Sequence, residues 1–172
     1  MTQIATDAGV SIDTIYAAIG PKPSLFRLLL ETALSGGEEA VPALERGYVD
    51  EIRAASSATG KLTIYARAVS EIQQRLAPLF VVLRSAAGAE PELTALWNDI
   101  AQRRARNMRL FAAELIATGE VRHDLDEATA ADIIWSMNAS EYYALLVFDR
   151  GWSPQRFEQW VSEAWCRLLL GS

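Results

Sequence analysis

Apolar residues recur at helical spacing along almost the whole chain, and no sustained period-two alternation interrupts them. The clearest stretch lies near the C-terminus. There Phe157, Trp160, Val161, Ala164, Trp165, Leu168 and Leu169 fall at i, i+3, i+4, i+7, i+8, i+11 and i+12, which places all of them on one helical face. Ser153-Pro154 reads as the N-cap and first residue of this helix, because a serine oxygen can satisfy a free N–H and proline has none to lose. Gly171 closes it. A second long helix is expected from Asp126 to Phe148. Over the 16 residues from Ile133 to Phe148 its only charge is Glu141, so it must be covered on nearly every side. The short turn Asp149-Arg150-Gly151-Trp152 makes these two helices antiparallel neighbours.

Upstream, Lys61 to Gln74 reads as a helix that Pro78 interrupts or kinks before Leu79–Leu83 continues. Glu90-Pro91 starts another helix that runs to about Thr118 and stops at Gly119. Its stripe is Leu93, Trp97, Ile100, Met108, Phe111 and Leu115. The stretch from Gly36 to Gly60 is weaker, broken by Gly36-Gly37, Pro42 and Gly47, and carries one short helix near Tyr48 to Ala55. The fold class is therefore all-α.

At the N-terminus, Thr2 can cap a short helix through Ala8, with Ile4 and Ala5 inward, and Gly9 supplies the left-handed residue that ends it. Val10 fills the corner, and Ser11 caps a second short helix from Ile12 to about Ala18. Two short helices around a glycine turn follow the helix-turn-helix plan. Pro21-Lys22-Pro23 then begins a longer helix whose buried side is Leu25, Phe26, Leu29, Leu30 and Leu34. These residues resemble the TetR (tetracycline-repressor-like) family of one-component regulators. The family pattern Ile-Ala-x-x-Ala-Gly-Val-Ser appears as Ile4-Ala5 and Ala8-Gly9-Val10-Ser11. Its Thr-(Ile/Leu)-Tyr appears as Thr14-Ile15-Tyr16, followed by Lys22 and the apolar Leu25-Phe26. Ile19 stands where the family has Phe. Gly151-Trp152-Ser153 also resembles the family's arrangement between its last two helices.

The resemblance implies an all-α homodimeric repressor whose second short helix enters the major groove of operator DNA, while the longer helices bind a small apolar or aromatic inducer that releases it. Residues 1–35 would be the helix-turn-helix DNA-binding region, and residues 36–172 the regulatory region for ligand binding and dimerisation. By position, Ser11, Thr14, Tyr16 and Lys22 would face DNA. Each has suitable chemistry: two short hydroxyls, a phenol for a phosphate, and a cation near a helix N-terminus. Aligned this way, Met1 falls at the start of the family's second helix. The DNA-binding unit is thus expected to be incomplete at its N-terminus and loosely held.

Composition sharpens this picture. The 172 residues are 51% hydrophobic, which suffices for a substantial core and excludes disorder as the main state. A net charge of −6 means that any DNA contact must be local. Within residues 1–35, Lys22 and Arg27 face Asp7, Asp13 and Glu31, so even that region is slightly acidic. A single cysteine, Cys166, excludes a disulfide framework. The N-terminus lacks the features of a signal peptide, and the longest apolar run, Leu76–Leu83, is far too short to span a bilayer. A cytoplasmic protein with no membrane partner is expected.

The two C-terminal helices present more apolar surface than the rest of the chain can cover. They are expected to form half of an intermolecular four-helix bundle, with Phe157, Trp160, Val161, Ala164, Trp165 and Leu168 at the dimer interface. The competing reading is a pair of ordinary core helices in a monomer. Phe80, Trp97, Met108, Phe111, Trp135, Asn138 and Tyr142 are the candidate ligand-lining residues, giving apolar and aromatic walls with a few polar anchors; plain core packing is the alternative for each. Asn138 and Glu141 need partners if buried, and can either anchor a ligand or fix helix register. Arg103, Arg104, Arg106 and Arg109 read as a solvated face paired with Asp99 and Glu114. His123 and Cys166 stand alone, without a metal-ligand or nucleophile–base constellation, and no phosphate loop or dinucleotide fingerprint appears. No enzyme activity, cofactor or metal is expected. Beside the inducible regulator stands a second reading, a helical dimer that binds a small molecule or a protein without DNA.

Overall fold

The computed structural model of the chain describes residues 1–35, 45–88 and 90–171. Among them the helices run α1 (Thr2–Asp7), α2 (Ile12–Ala18), α3 (Lys22–Ser35), α4 (Gly47–Ala54), α5 (Ala58–Ala87), α6 (Pro91–Ile116), α7 (Glu127–Met137), α8 (Ser140–Tyr143) and α9 (Pro154–Leu169). One π-helical turn, Ala144–Asp149, joins α8 to α9. No strand occurs among the described residues. An isolated antiparallel bridge ties Val121 to Leu170 and fastens the α6–α7 connection to the end of α9. The all-α expectation holds, and no helix among these residues is long and apolar enough to cross a membrane. The expected breakers Gly36, Gly37 and Pro42 lie outside the described residues.

Helix α5 is the spine. Ser57 caps it by accepting from the Gly60 N–H, and its inward residues Leu62, Ala66, Val69, Gln73, Leu76, Phe80 and Leu83 recur in steps of three and four. Two hydrophobic clusters form along it. In the first, Leu62 and Tyr65 meet Phe111 and Leu115 of α6, Ile134 of α7, and Phe157, Val161, Trp165 and Leu169 of α9. The second joins Leu76, Phe80 and Leu83 to Leu30 and Ala33 of α3 and to Leu93, Leu96 and Ile100 of α6. Both α5 and α6 therefore run through both clusters.

Pro78, expected to interrupt or kink its helix, does not interrupt it, and α5 runs through from Ala58 to Ala87. Proline removes the bond that would reach the Gln74 carbonyl, but Pro78 and Gln74 are both exposed, so water can take the freed acceptor. The single helix expected from Asp126 to Phe148 is instead broken at Asn138-Ala139, where Ala139 is extended (φ −68°, ψ 143°). Gln73 of α5 makes the break possible. Its amide N–H donates to the Asn138 carbonyl at 2.7 Å while its amide oxygen accepts from Ser140 Oγ at 2.8 Å. The Asn138 carbonyl, which a continuous helix would satisfy, is met from the side. Two smaller expectations also shift. Met1 rather than Thr2 occupies the N-cap of α1, and Leu29 is exposed while Leu30 and Ala33 carry the burial of α3.

Asp126 caps α7, its carboxylate accepting from the Thr129 N–H at 2.7 Å. That hydrogen bond holds the carboxyl below the usual aspartate range. The sign follows: a depressed folded-state value contributes stability above the unfolded value, and the contribution is lost as pH falls through the folded one. Asp126→Asn still caps the helix but carries no charge for the helix dipole. The advantage of Asp126 over this variant in thermal denaturation is expected to be full near neutrality and to vanish as pH falls below the ordinary aspartate value.

Candidate functional site

The N-terminal helices form as their residues dictate. Gly9 takes φ +66°, the left-handed region that suits glycine, and lets the Val10 N–H return to the Ala5 carbonyl at 3.0 Å. Ser11 caps α2, accepting from the Thr14 N–H at 3.0 Å, and its hydroxyl lies 2.8 Å from that of Thr14. Only Ala5 and Ile15 are buried in α1 and α2. Ile4, Val10 and Ile12 are exposed, so this unit holds itself together with very little apolar area.

All four residues expected to face DNA lie at the surface. Tyr16 is 48% exposed. The other three are already engaged within the chain: Ser11 and Thr14 with each other, and Lys22 with Glu90 at the start of α6. Arg27 likewise pairs with Asp99 at 3.3 Å. Both basic side chains of residues 1–35 are thus directed across to α6, and a phosphate would have to draw them away.

Behind α3 lies a cavity of about 370 Å³, within the range of roughly 300–1,000 Å³ typical of small-molecule pockets. Leu30, Glu31 and Leu34 of α3 form one side of it, and Tyr48, Val49 and Ile52 of α4 another. Its floor comes from α5 through Tyr65, Val69, Gln73, Leu76 and Phe80. Its far wall comes from α6 through Ile100, Arg104, Met108 and Phe111, with Asn138 and Ser140 at the α7–α8 break closing one end.

That end is polar. The Asn138 amide N–H donates to the Tyr65 hydroxyl at 2.8 Å and to Met108 Sδ at 3.0 Å, and the Tyr65 hydroxyl lies 3.3 Å from the same sulfur. Burial, with Tyr48 alongside, pushes the Tyr65 phenol well above its usual range, so it stays protonated. Arg104 lies with its guanidinium carbon 4.5 Å from the centre of the Trp135 ring and donates to the Trp135 carbonyl at 3.3 Å. Burial lowers its pKa, against the pull of Glu141, yet an arginine remains charged. Arg104 Nε and Asn138 Oδ1 are both buried without a hydrogen-bond partner.

Of the expected ligand-lining residues, Phe80, Met108, Phe111 and Asn138 meet in this cavity. Trp97, Trp135 and Tyr142 do not. Trp97 packs on Phe80 with ring centres 4.7 Å apart, Trp135 lies beneath Arg104, and the Tyr142 hydroxyl accepts from Trp160 Nε1 at 2.8 Å. Tyr65, Gln73 and Arg104 were not expected there. The first two carry a legible signal, since they fall on the apolar stripe of α5 where a polar residue needs a buried partner. Arg104 is half-buried rather than part of a solvated arginine face, and its neighbour Arg103 turns to Glu31 at 3.9 Å.

The expected dimer interface is corrected in half of its members. Phe157, Val161 and Trp165 are fully enclosed within the protomer, because α9 lies along α5 of its own chain. Trp160 and Leu168 are 41% and 43% exposed, and Ala164 is half-buried between them. Leu145 and Phe148 of the π-helical turn are exposed as well. Among the described residues no cluster of three metal-ligating side chains occurs. Compared with protein-family models, curated proteins and solved structures, the chain matches none.

Proposed function

We propose that the chain is a ligand-responsive DNA-binding regulator that acts as a homodimer, with α2 reading operator DNA and the cavity receiving a small inducer. The observation that carries this reading is that α3 serves two masters. It follows directly on the α1–α2 unit, and through Leu30, Glu31 and Leu34 it walls the cavity. A molecule filling the cavity bears on α3, to which α2 is joined through residues 19–21. Two reading helices of a dimer must meet half-sites about 34–36 Å apart, or a multiple of that, so a small displacement in each subunit spoils simultaneous docking. For the second copy, exposed Trp160, Leu168, Leu145 and Phe148 provide apolar surface.

The test is selection of binding sequences from a random duplex library, followed by titration of the selected duplex. Selection should enrich one inverted-repeat sequence, and Tyr16→Ala should weaken its binding about tenfold or more without moving the urea midpoint. Failure to enrich any sequence rejects DNA reading. The engagement of Lys22 and Arg27 with α6 carboxylates favours a second reading, a helical dimer that binds its ligand without DNA. That protein would emerge from the same selection with no sequence preference.

A further inference from the structure

Resting on the reading of the cavity as a ligand site, we infer that its occupant is a small carboxylic acid with a neighbouring hydroxyl on an apolar chain or ring. The carboxylate would be held by Arg104 and the hydroxyl by Asn138. Two orphaned buried atoms carry the argument. A buried polar atom without a partner is costly, and here an unpartnered donor and an unpartnered acceptor belong to Arg104 and Asn138, two residues that line one cavity. Arg104 is held by its stack on Trp135 and its bond to the Trp135 carbonyl, which leaves Nε unbonded. The amide nitrogen of Asn138 is taken by Tyr65 and by a sulfur that has no proton to give, which leaves Oδ1 without a partner.

The two residues are linked through their neighbours. Trp135, which holds Arg104, lies one turn before Asn138, and Met108, which touches Asn138, lies one turn after Arg104. An anion suits the first and a hydroxyl donor the second. Charge around the cavity agrees. Of its acids, Glu31 is met by Arg103 at 3.9 Å and Glu114 lies 4.0 Å from Lys61. Glu141, whose field reaches Arg104, is not part of the wall; its Oε1 lies 3.5 Å from Arg84, while its Oε2 is buried without a partner. No carboxylate lies within ion-pair distance of Arg104 among the described residues. Ile72, Leu76, Phe80 and Ile100 offer the rest of the molecule a dry wall.

The test is calorimetric titration of the full chain, with no DNA present, against 3-hydroxyoctanoate, octanoate, octan-1-ol and octylamine. Octanoate should bind about tenfold or more tightly than octanol, the hydroxy acid more tightly again, and the amine not measurably. Arg104→Gln should abolish the preference, so that octanoate no longer binds more tightly than octanol to that variant, and Arg104→Lys should restore part of it. Octanol or octylamine binding as tightly as octanoate overturns the inference, as does an Arg104→Gln protein that keeps its acid affinity. If that variant does not fold, the ranking on the native chain decides alone. Acids that bind as ranked but release no DNA uphold this inference while counting against the regulator.

Discussion

Replacing Trp165 by alanine is expected to destabilise the protein by about 3–5 kcal/mol, the range for deleting a large buried aromatic. Trp165 is fully enclosed and stacks on Tyr65 with ring centres 5.5 Å apart and planes 13° from parallel. Tyr65 in turn contacts Phe111 at 4.8 Å, so the loss opens a void at the junction of α5, α6 and α9. Trp165→Phe should cost much less. It keeps an aromatic ring and removes an indole N–H that is buried without a partner. Urea denaturation at two protein concentrations checks this. A residue in the protomer core lowers the midpoint equally at both concentrations, whereas an interfacial residue would make the loss concentration-dependent. A cost below 1 kcal/mol for the alanine variant would refute the core placement.

Leu83→Ala should be nearly as damaging, at about 2–5 kcal/mol. Leu83 is fully buried in the second cluster, which is where α3 is anchored through Leu30 and Ala33. The loss should not be uniform. Since α3 has few other buried side chains, its amide protons should exchange faster before those of α9 do. Equal acceleration in α3 and α9 would mean that α3 is not held independently by this cluster. If α3 also carries the response to a ligand, the same variant should blunt that response while leaving Trp165 and its surroundings intact.

Much of this architecture can be read from local patterns. Ser153-Pro154, Glu90-Pro91 and the glycine turn at Gly9 carry their signals within a few residues, and α9, α6 and the α1–α2 turn appear where those signals put them. The break at Asn138-Ala139 depends on Gln73, which is 65 residues away in the sequence and two helices distant, so no window around Asn138 contains its cause. The polar residues Asn138 and Ser140 within an apolar run do announce a need for partners, but not that the helix stops to meet them. The stripe on α9 misleads in a different way. A face seven residues rich is wider than one contact, and only its Phe157–Val161–Trp165–Leu169 ridge is fully enclosed, which leaves Trp160 and Leu168 exposed.

Ligand-lining residues were the least legible. Aromatic size suggests Trp97, Trp135 and Tyr142 for the cavity, yet Trp97 and Trp135 pack against the lining residues Phe80 and Arg104, and Tyr142 bonds Trp160. Arg104 looks like any other arginine on a charged helix until Trp135 arrives beneath it. What a side chain lines depends on which helices meet, and that information is spread over the whole chain.

The unbroken course of α5 has one further consequence. Each residue added to or removed from a helix turns everything beyond it by about 100° and shifts it by about 1.5 Å. A single insertion between Val69 and Leu76 would therefore leave Leu62 and Tyr65 in phase with α9 while swinging Phe80 and Leu83 away from α3. Length along this rod is as tightly constrained as the identity of the side chains it carries.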